Sequence, residues 1–224
     1  MDRAVTPPVN STIRWLDHIG EIAPSAWDAL FAGGNPFLRH AFLSSLEDSG
    51  SADADSGWRP KHLVVERDGE LRGAMPLYLK EHSYGEFVFD WAWADAYQRH
   101  GMPYYPKLVT AIPFTPAKGP RLLAADKTIT ADGETISQTT IKKGLISALS
   151  AYADKNELSS SHFLFCEDDD IACFSEDEFL FRFDYQFHWR NNAYASFDDF
   201  LGELNYKRRK NIRRERRKVS EEDI

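Results

Sequence analysis

Phe187-His188-Trp189-Arg190-Asn191-Asn192-Ala193-Tyr194, followed from Ser196 by a helical pattern that closes on Tyr206-Lys207-Arg208-Arg209-Lys210-Asn211-Ile212-Arg213-Arg214-Glu215-Arg216-Arg217-Lys218, is the stretch from which the rest of this chain is read. Its first half reads as the last strand and exit of a domain. Its second half places Phe197, Phe200, Leu201, Leu204, Ile212 and Val219 roughly on one helical face, with Lys and Arg on most of the remainder. Nine of the chain's 27 basic residues fall between Lys207 and Lys218, although the formal net charge is -8. Charge segregated in this way calls for an anion, inside the protein or outside it.

Working outward, 224 residues suffice for a substantial core, and 42% hydrophobic content argues against wholesale disorder. The acidic body excludes a protein whose whole surface wraps nucleic acid. Cys166 and Cys173 fit no disulfide framework and no zinc spacing, so reduced thiols in a reducing compartment are expected. No apolar run reaches the roughly 18 residues of a membrane span. The N-terminus lacks the apolar core of a signal peptide, and the cytoplasm is the expected location. Ser220-Glu221-Glu222-Asp223-Ile224 follow the helical run without Gly, Asn or Pro to stop it, which suggests a fragment.

Residues 1–12 read as a loose tail and Thr12-Ile13-Arg14-Trp15-Leu16 as a first strand. Pro24-Ser25-Ala26-Trp27-Asp28 opens a short helix stopped by Gly33-Gly34, and Asn35-Pro36 caps a second helix. Two strands follow, His62-Leu63-Val64-Val65-Glu66 and residues 71–79, joined by the hairpin signal Asp68-Gly69. Lys107-Leu108-Val109-Thr110-Ala111-Ile112-Pro113 reads as another strand. Thr135-Ile136-Ser137-Gln138 is a capping box for a helix running to about Lys155. Ser161-His162-Phe163-Leu164-Phe165-Cys166 reads as a buried strand. A second box at Ser175 predicts a short helix leading to extended chain through Trp189. Strands alternating with helices, plus a hairpin, imply an α/β sheet of mixed direction.

This order of elements resembles the acyl-CoA N-acyltransferase (GNAT) fold. Asn35-Pro36-Phe37, Trp91-Ala92-Trp93-Ala94-Asp95-Ala96-Tyr97, Tyr104-Tyr105-Pro106-Lys107-Leu108 with Pro113-Phe114-Thr115-Pro116 and Gly119-Pro120-Arg121-Leu122-Leu123, and Gln186-Phe187-His188-Trp189-Arg190-Asn191 leading into the basic helix, are similar to the FemAB-like predicted N-acyltransferases of peptidoglycan biosynthesis or recognition. The resemblance implies a mixed central sheet flanked by helices over residues 13–194. It also implies that residues 195–224 open a second, missing GNAT-like domain. The implied donor is an acyl-CoA or an aminoacyl-tRNA, with no tightly bound cofactor, and the acceptor an amine on a small molecule, a peptide or a cell-wall precursor. In contrast to ordinary acetyltransferases, no Gln/Arg-x-x-Gly-x-Gly/Ala loop follows any strand.

Several residues carry the candidate chemistry. Arg208, Arg209 and Arg213 are candidates for a clamp on tRNA backbone, CoA phosphates or a nucleotide-linked precursor; a solvated face, or pairing with the acidic body or the missing domain, is the alternative. His188, in extended chain before a helix, suits a general base, with Trp189 beside it as a substrate-binding ring. Trp91, Trp93, Tyr97 and Tyr105 offer flat faces and polar tips to a sugar or peptide, or else pack in the core. Between Trp91 and Tyr105 Asp95 is the only carboxylate, making it the acid/base candidate. Lys107 and Arg121 flank a Pro-rich turn and are candidates for a phosphate or carboxylate. Glu167-Asp168-Asp169-Asp170 lacks calcium-loop spacing and reads as a solvated loop opening a short helix. Metal, nucleotide and serine hydrolysis motifs do not occur. A non-catalytic module recognising an anionic ligand or peptidoglycan precursor is the alternative function.

Overall fold

The computed structural model describes residues 11–31, 34–129 and 135–222. Residues 1–10 of the expected tail and Gly33 of the expected Gly33-Gly34 stop lie outside them. The chain divides into two compact units, one ending at Leu180 and one beginning at Phe181.

In the first unit the order is β1 (Ser11–Leu16), α1 (Pro24–Asp28), α2 (His40–Asp48), β2 (Trp58–Pro60), β3 (His62–Arg67), β4 (Glu70–Met75), β5 (Leu77–Lys80), α3 (Trp91–Arg99), β6 (Lys107–Thr110), β7 (Leu123–Ala124), β8 (Lys127–Ile129), β9 (Thr135–Ser137), α4 (Gln138–Lys155), β10 (Ser161–Phe163) and α5 (Asp168–Ile171). The mixed α/β architecture stands, but the expected single sheet is divided. Among the described residues one four-stranded sheet has the order β1-β3-β4-β7, another β10-β6-β5-β2, and β8 pairs with β9. The division falls at Pro76, which has no N–H to continue a ladder, so the strand expected over 71–79 becomes β4 in one sheet and β5 in the other. Lys61 marks the same break between β2 and β3, and its N–H donates to Leu77 O at 2.8 Å.

The break is closed by side chains. Leu77 N donates to His62 Nδ1 (3.1 Å), which leaves Nε2 to donate to Glu47 Oε1 at 2.8 Å. Glu47 Oε2 accepts from Ile19 N at 2.7 Å, so a buried α2 carboxylate joins β3, β5 and the turn after β1. The Asp68-Gly69 hairpin forms as expected, with φ of 53° and 77°, the pair of left-handed residues that a tight two-residue turn requires.

Each sheet has two faces. On the first, Val64, Ala74, Leu16 and Leu123 pack on Trp27, Leu38 and Leu43 from α1, α2 and the 3-10 turn between them. Asn35 caps that turn, Pro36–Leu38, rather than α2 itself. On the opposite side Leu63, Val65 and Met75 meet Leu145 and Leu149 of α4, and Leu77 and Leu108 of the second sheet join the same cluster. The cap of α4 is Ser137, whose Oγ accepts from Thr140 N at 3.1 Å, because Thr135 is held in the β9 ladder. The remaining face of the second sheet combines an apolar cluster that includes Trp58, Tyr78 and Val109 with the buried Lys80 and Lys107, and the candidate site lies there.

The turn after β6 is organised by Arg121 and Asp170. Arg121 is fully buried, and its guanidinium donates to the carbonyls of Leu164 (2.7 Å), Pro120 (3.1 Å) and Ala117 (2.6 Å). Asp170, expected in a solvated loop, is also buried. It accepts from Arg121 N (2.5 Å) and pairs with Lys142 at 2.8 Å. The strand expected over 161–166 stops at Phe163, since Phe165 takes a positive φ of 57° and its carbonyl turns to Gly119 N. The box at Ser175 makes a turn and no helix, because Phe179 is drawn against Phe163 and Phe174.

The second unit holds α6 (Phe197–Glu203) and α7 (Tyr206–Glu221), capped by Ser196 and Asn205. Residues 181–195 form no strand, as no neighbouring backbone supplies a ladder. Replacing Arg121 with Met should lower stability by about 3 kcal/mol, since three buried carbonyls lose their donor. Urea denaturation of the two proteins measures this.

Candidate functional site

Strand register puts Lys80 opposite Lys107 and Tyr78 opposite Val109, with His162 opposite Val109 on the other side. Side chains alternate across a sheet, so Trp58, Tyr78, Lys80, Lys107 and His162 share one face, while Leu77, Leu79, Leu108 and Phe163 share the other. Two fully buried lysines side by side repel and require counter-charge. The segment between β5 and α3 supplies it. Lys107 Nζ donates to Glu86 Oε2 (2.9 Å), to Ser83 Oγ (3.0 Å) and, in a very short contact, to Asp90 Oδ2. Lys80 Nζ lies 3.9 Å from the Trp58 ring and donates to Tyr84 O at 3.2 Å.

From this centre a hydrogen-bonded chain runs outward. Tyr104 OH donates to Asp90 Oδ2 at 2.6 Å and lies 3.4 Å from His162 Nε2, which is 2.8 Å from Ser160 Oγ. Tyr105 OH meets Ser83 Oγ at 2.8 Å, and Tyr97 packs its ring on Tyr104 at 5.1 Å. Among the described residues, Glu86 Oε1 and Asp90 Oδ1 are buried without a hydrogen-bond partner.

The electrostatics separate the groups. Burial raises the Glu86 carboxyl against the pull of Lys107. Burial acts on Asp90 in the same sense, but hydrogen bonds from Lys107, Ser83 and Tyr104 outweigh it and hold Asp90 below its ordinary value. Burial, reinforced by the bond to Asp90, raises the Tyr104 hydroxyl. Burial lowers His162 to about 4, with Lys107 adding to the effect. Burial brings Lys80 down to about 8, Glu86 opposing and Lys107 assisting. At neutral pH the cluster therefore sets an ionised carboxylate beside a neutral imidazole and a neutral phenol, the pairing of charge states that proton transfer uses.

Of the residues singled out in the sequence, Tyr97, Tyr105 and Lys107 meet here. Trp91 and Trp93 lie on α3, half exposed, and so are not core residues. Asp95 is exposed on the same helix and paired with Arg99 at 3.1 Å, away from the buried groups. The carboxylates in the cluster are Glu86 and Asp90, the latter one residue before the aromatic run. Arg121 is fully buried, with each of its three guanidinium nitrogens bonded to a backbone carbonyl, so it is not presented to an anion. His188 and Trp189 belong to the second unit, where Trp189 packs against Tyr194 and Phe200. There Arg209 donates to Gly202 O and Leu204 O, and Arg213 pairs with Asp198, so both hold α7 to α6. Arg216 covers the Phe197 ring at 4.3 Å. Arg208 is exposed on α7.

Sequence reading missed Lys80, Ser83, Glu86, Asp90, Tyr104 and His162 as a group. A signal for part of it was available: a Lys at each of two otherwise apolar strands, in register once the hairpin is drawn. Cys166 and Cys173 are free thiols, and burial pushes Cys166 up to about 12. Among the described residues no group of His, Cys, Asp and Glu is placed to hold a metal ion, and no helix is long and apolar enough to cross a membrane.

Fold and site define a mixed α/β protein with a buried ionic cluster on one sheet face. The family of FemAB-like proteins, described as peptidoglycan biosynthesis/recognition, matches residues 18–224, and the chain belongs to that family. A search of curated proteins returns no match. Among solved structures, a ribosomal-protein-alanine N-acetyltransferase from Brucella melitensis biovar Abortus 2308 is similar at 14% identity, over 81% of this chain and 98% of that one, with a TM-score of 0.40.

His162 binds its proton more weakly in the folded chain than at its ordinary value of 6.5, so the unfolded state takes up more protons and stability falls as pH drops from about 6.5 to 4. The His162 contribution should be about 3 kcal/mol across that window. Glu86 works in the opposite direction, so the wild-type curve alone is blunted. Chemical denaturation at several pH values should show the difference between wild type and His162→Asn growing on the alkaline side.

Proposed function

We propose that this chain takes part in acyl transfer to an amine in peptidoglycan biosynthesis, with the Lys107–Asp90–Tyr104–His162 cluster as its acid–base centre. The observation that carries this reading is the cluster itself: buried charges of both signs, two carboxylate oxygens without partners, and a neutral His and Tyr at its rim. In the reaction the acceptor nitrogen forms a bond to the acyl carbon, the C–S or C–O bond to the donor breaks, and the amine gives up a proton. His162 receives that proton and passes it to the departing sulfur or oxygen, which leaves as a thiol or alcohol and restores the neutral imidazole, with Tyr104 and Asp90 fixing its surroundings. Donor phosphates, whether from an acyl-CoA or an aminoacyl-tRNA, are assigned to α7. After Arg209, Arg213 and Arg216 are engaged within the second unit, Lys207, Lys210, Arg214 and Arg217 form a stripe at helical spacing with no recorded partner among the described residues. With such donors the reaction would take place in the cytoplasm.

The clearest test compares two aspartates. Asp90→Asn should lower transfer by about 100-fold with a far-UV spectrum like that of wild type, whereas Asp95→Asn should stay within about twofold. Wild-type turnover in Asp90→Asn would reject the site. A donor-independent binder of peptidoglycan precursors, the second reading, would show precursor binding and no transfer in any protein. For α7, changing Lys207, Lys210, Arg214 and Arg217 to Ala should weaken donor binding and flatten its salt dependence, measured by titration at several ionic strengths. Arg209→Ala should instead destabilise the second unit.

A further inference from the structure

In residues 81–91 the inward side chains serve the buried lysines, whereas the outward ones serve neither the sheet nor the acid–base centre. Ser83, Glu86 and Asp90 turn inward and are buried, all three bonded to Lys107, and Lys80 holds the carbonyl of Tyr84. Their neighbours turn outward: Tyr84 is 68% exposed, Phe87 52%, Phe89 61% and Trp91 54%. Trp91 links the outer rings, with its centroid 6.3 Å from Tyr84 and 5.2 Å from Phe89. The backbone is constrained as well. Gly85 and Phe87 take φ of 80° and 58°, and a bulky residue adopts the left-handed region only where its surroundings impose it. A segment anchored by buried charges, strained at Phe87 and carrying four aromatic side chains into water is organised to present those rings.

The geometry narrows the partner. The ring planes of Tyr84 and Phe89 are inclined to Trp91 by 60° and 52°, so they offer separate faces rather than one flat apolar floor. The charged groups of the segment's buried anchors point away from the rings, toward Lys107. Uncharged, inclined aromatic faces suit pyranose rings, whose C–H faces stack on an aromatic plane while their hydroxyls remain hydrated. The family's connection to peptidoglycan, a polymer of sugars and peptides, points the same way.

We infer that Tyr84, Phe89 and Trp91 form a platform for the sugar rings of a peptidoglycan strand or precursor. This rests on the peptidoglycan reading above and not on the chemistry assigned to Asp90 and His162. The probe is a tetrasaccharide of N-acetylglucosamine, titrated into the full chain and followed by calorimetry and tryptophan fluorescence. The expected result is saturable binding that changes little with salt. Binding should be weakened about tenfold or more in Tyr84→Ala/Trp91→Ala, with an unchanged thermal midpoint, since both rings are more than half exposed.

A wild-type protein that ignores the tetrasaccharide, or a double variant that binds it equally well, overturns the platform. So does a dimer, seen by sedimentation, that the double variant abolishes, because the rings would then serve a second copy of the chain. Transfer to a sugar-free peptide amine, assayed alongside, separates the two readings. Loss of sugar binding with transfer intact supports the platform. Sugar binding without transfer supports it too, and rejects only the acid–base centre.

Discussion

A lysine that cannot reach water dictates much of the first unit. Lys107 stands in an inner strand of its four-stranded sheet, fully buried, beside a second buried lysine from the next strand. Neither ammonium is tolerable there without compensation, since desolvating a charge costs several kcal/mol. The compensation comes from one segment, residues 83–90, which brings two carboxylates and a hydroxyl onto Lys107. Everything downstream in that region follows from this docking. Asp90 is fixed immediately before α3, the helix that carries Trp91 and Trp93, and Tyr104 is fixed by its bond to Asp90. The packing that neutralises the lysines therefore also sets the positions of the aromatic residues.

A second constraint is the junction between the sheets. Pro76 ends one ladder, and the N–H of the next residue is taken by His62, whose other nitrogen meets Glu47. Because Glu47 also accepts from the turn after β1, the point of divergence is held from three sides. Arg121 and Asp170 do the same for the turn that follows β6. In both places a residue type associated with solvent or substrate is buried and satisfies backbone groups, His62 and Asp170 each adding a side-chain partner.

Much of the architecture was legible because its signals are local. The Asp68-Gly69 hairpin, the apolar face of α4 and the short helix at Pro24 need only neighbouring residues to be recognised. The division of the sheet was written in Pro76, but its effect depends on which ladder each half joins, a long-range matter. The site was less legible for the same reason. Tyr97, Tyr105 and Lys107 stood out through composition, while Asp90 and His162 are 72 positions apart in the sequence and become neighbours of Tyr104 only through the β6–β10 pairing. Asp95 and Arg121 misled in opposite ways. The first has the right residue type on the wrong side of α3, and the second has the right charge but is buried against carbonyls. Family membership was recognisable from the motifs themselves, several of which turn out to be packing elements: Asn35 caps a turn, and Arg121 clamps one.

The alternation of Lys80 and Lys107 with Leu79 and Leu108 has an evolutionary consequence. A one-residue slip of β6 would exchange Lys107 for Leu108, putting an ammonium on the α4 side and an alkyl chain between Glu86 and Asp90, and the same slip of β5 would exchange Lys80 for Leu79. Length variation in those two strands is therefore doubly penalised, whereas the exposed Ser- and Asp-rich turn around residues 49–56 has no comparable bookkeeping to keep. Among relatives of this chain, insertions should gather in such turns while the distance from Lys80 to Lys107 changes only by altering the segment between the strands.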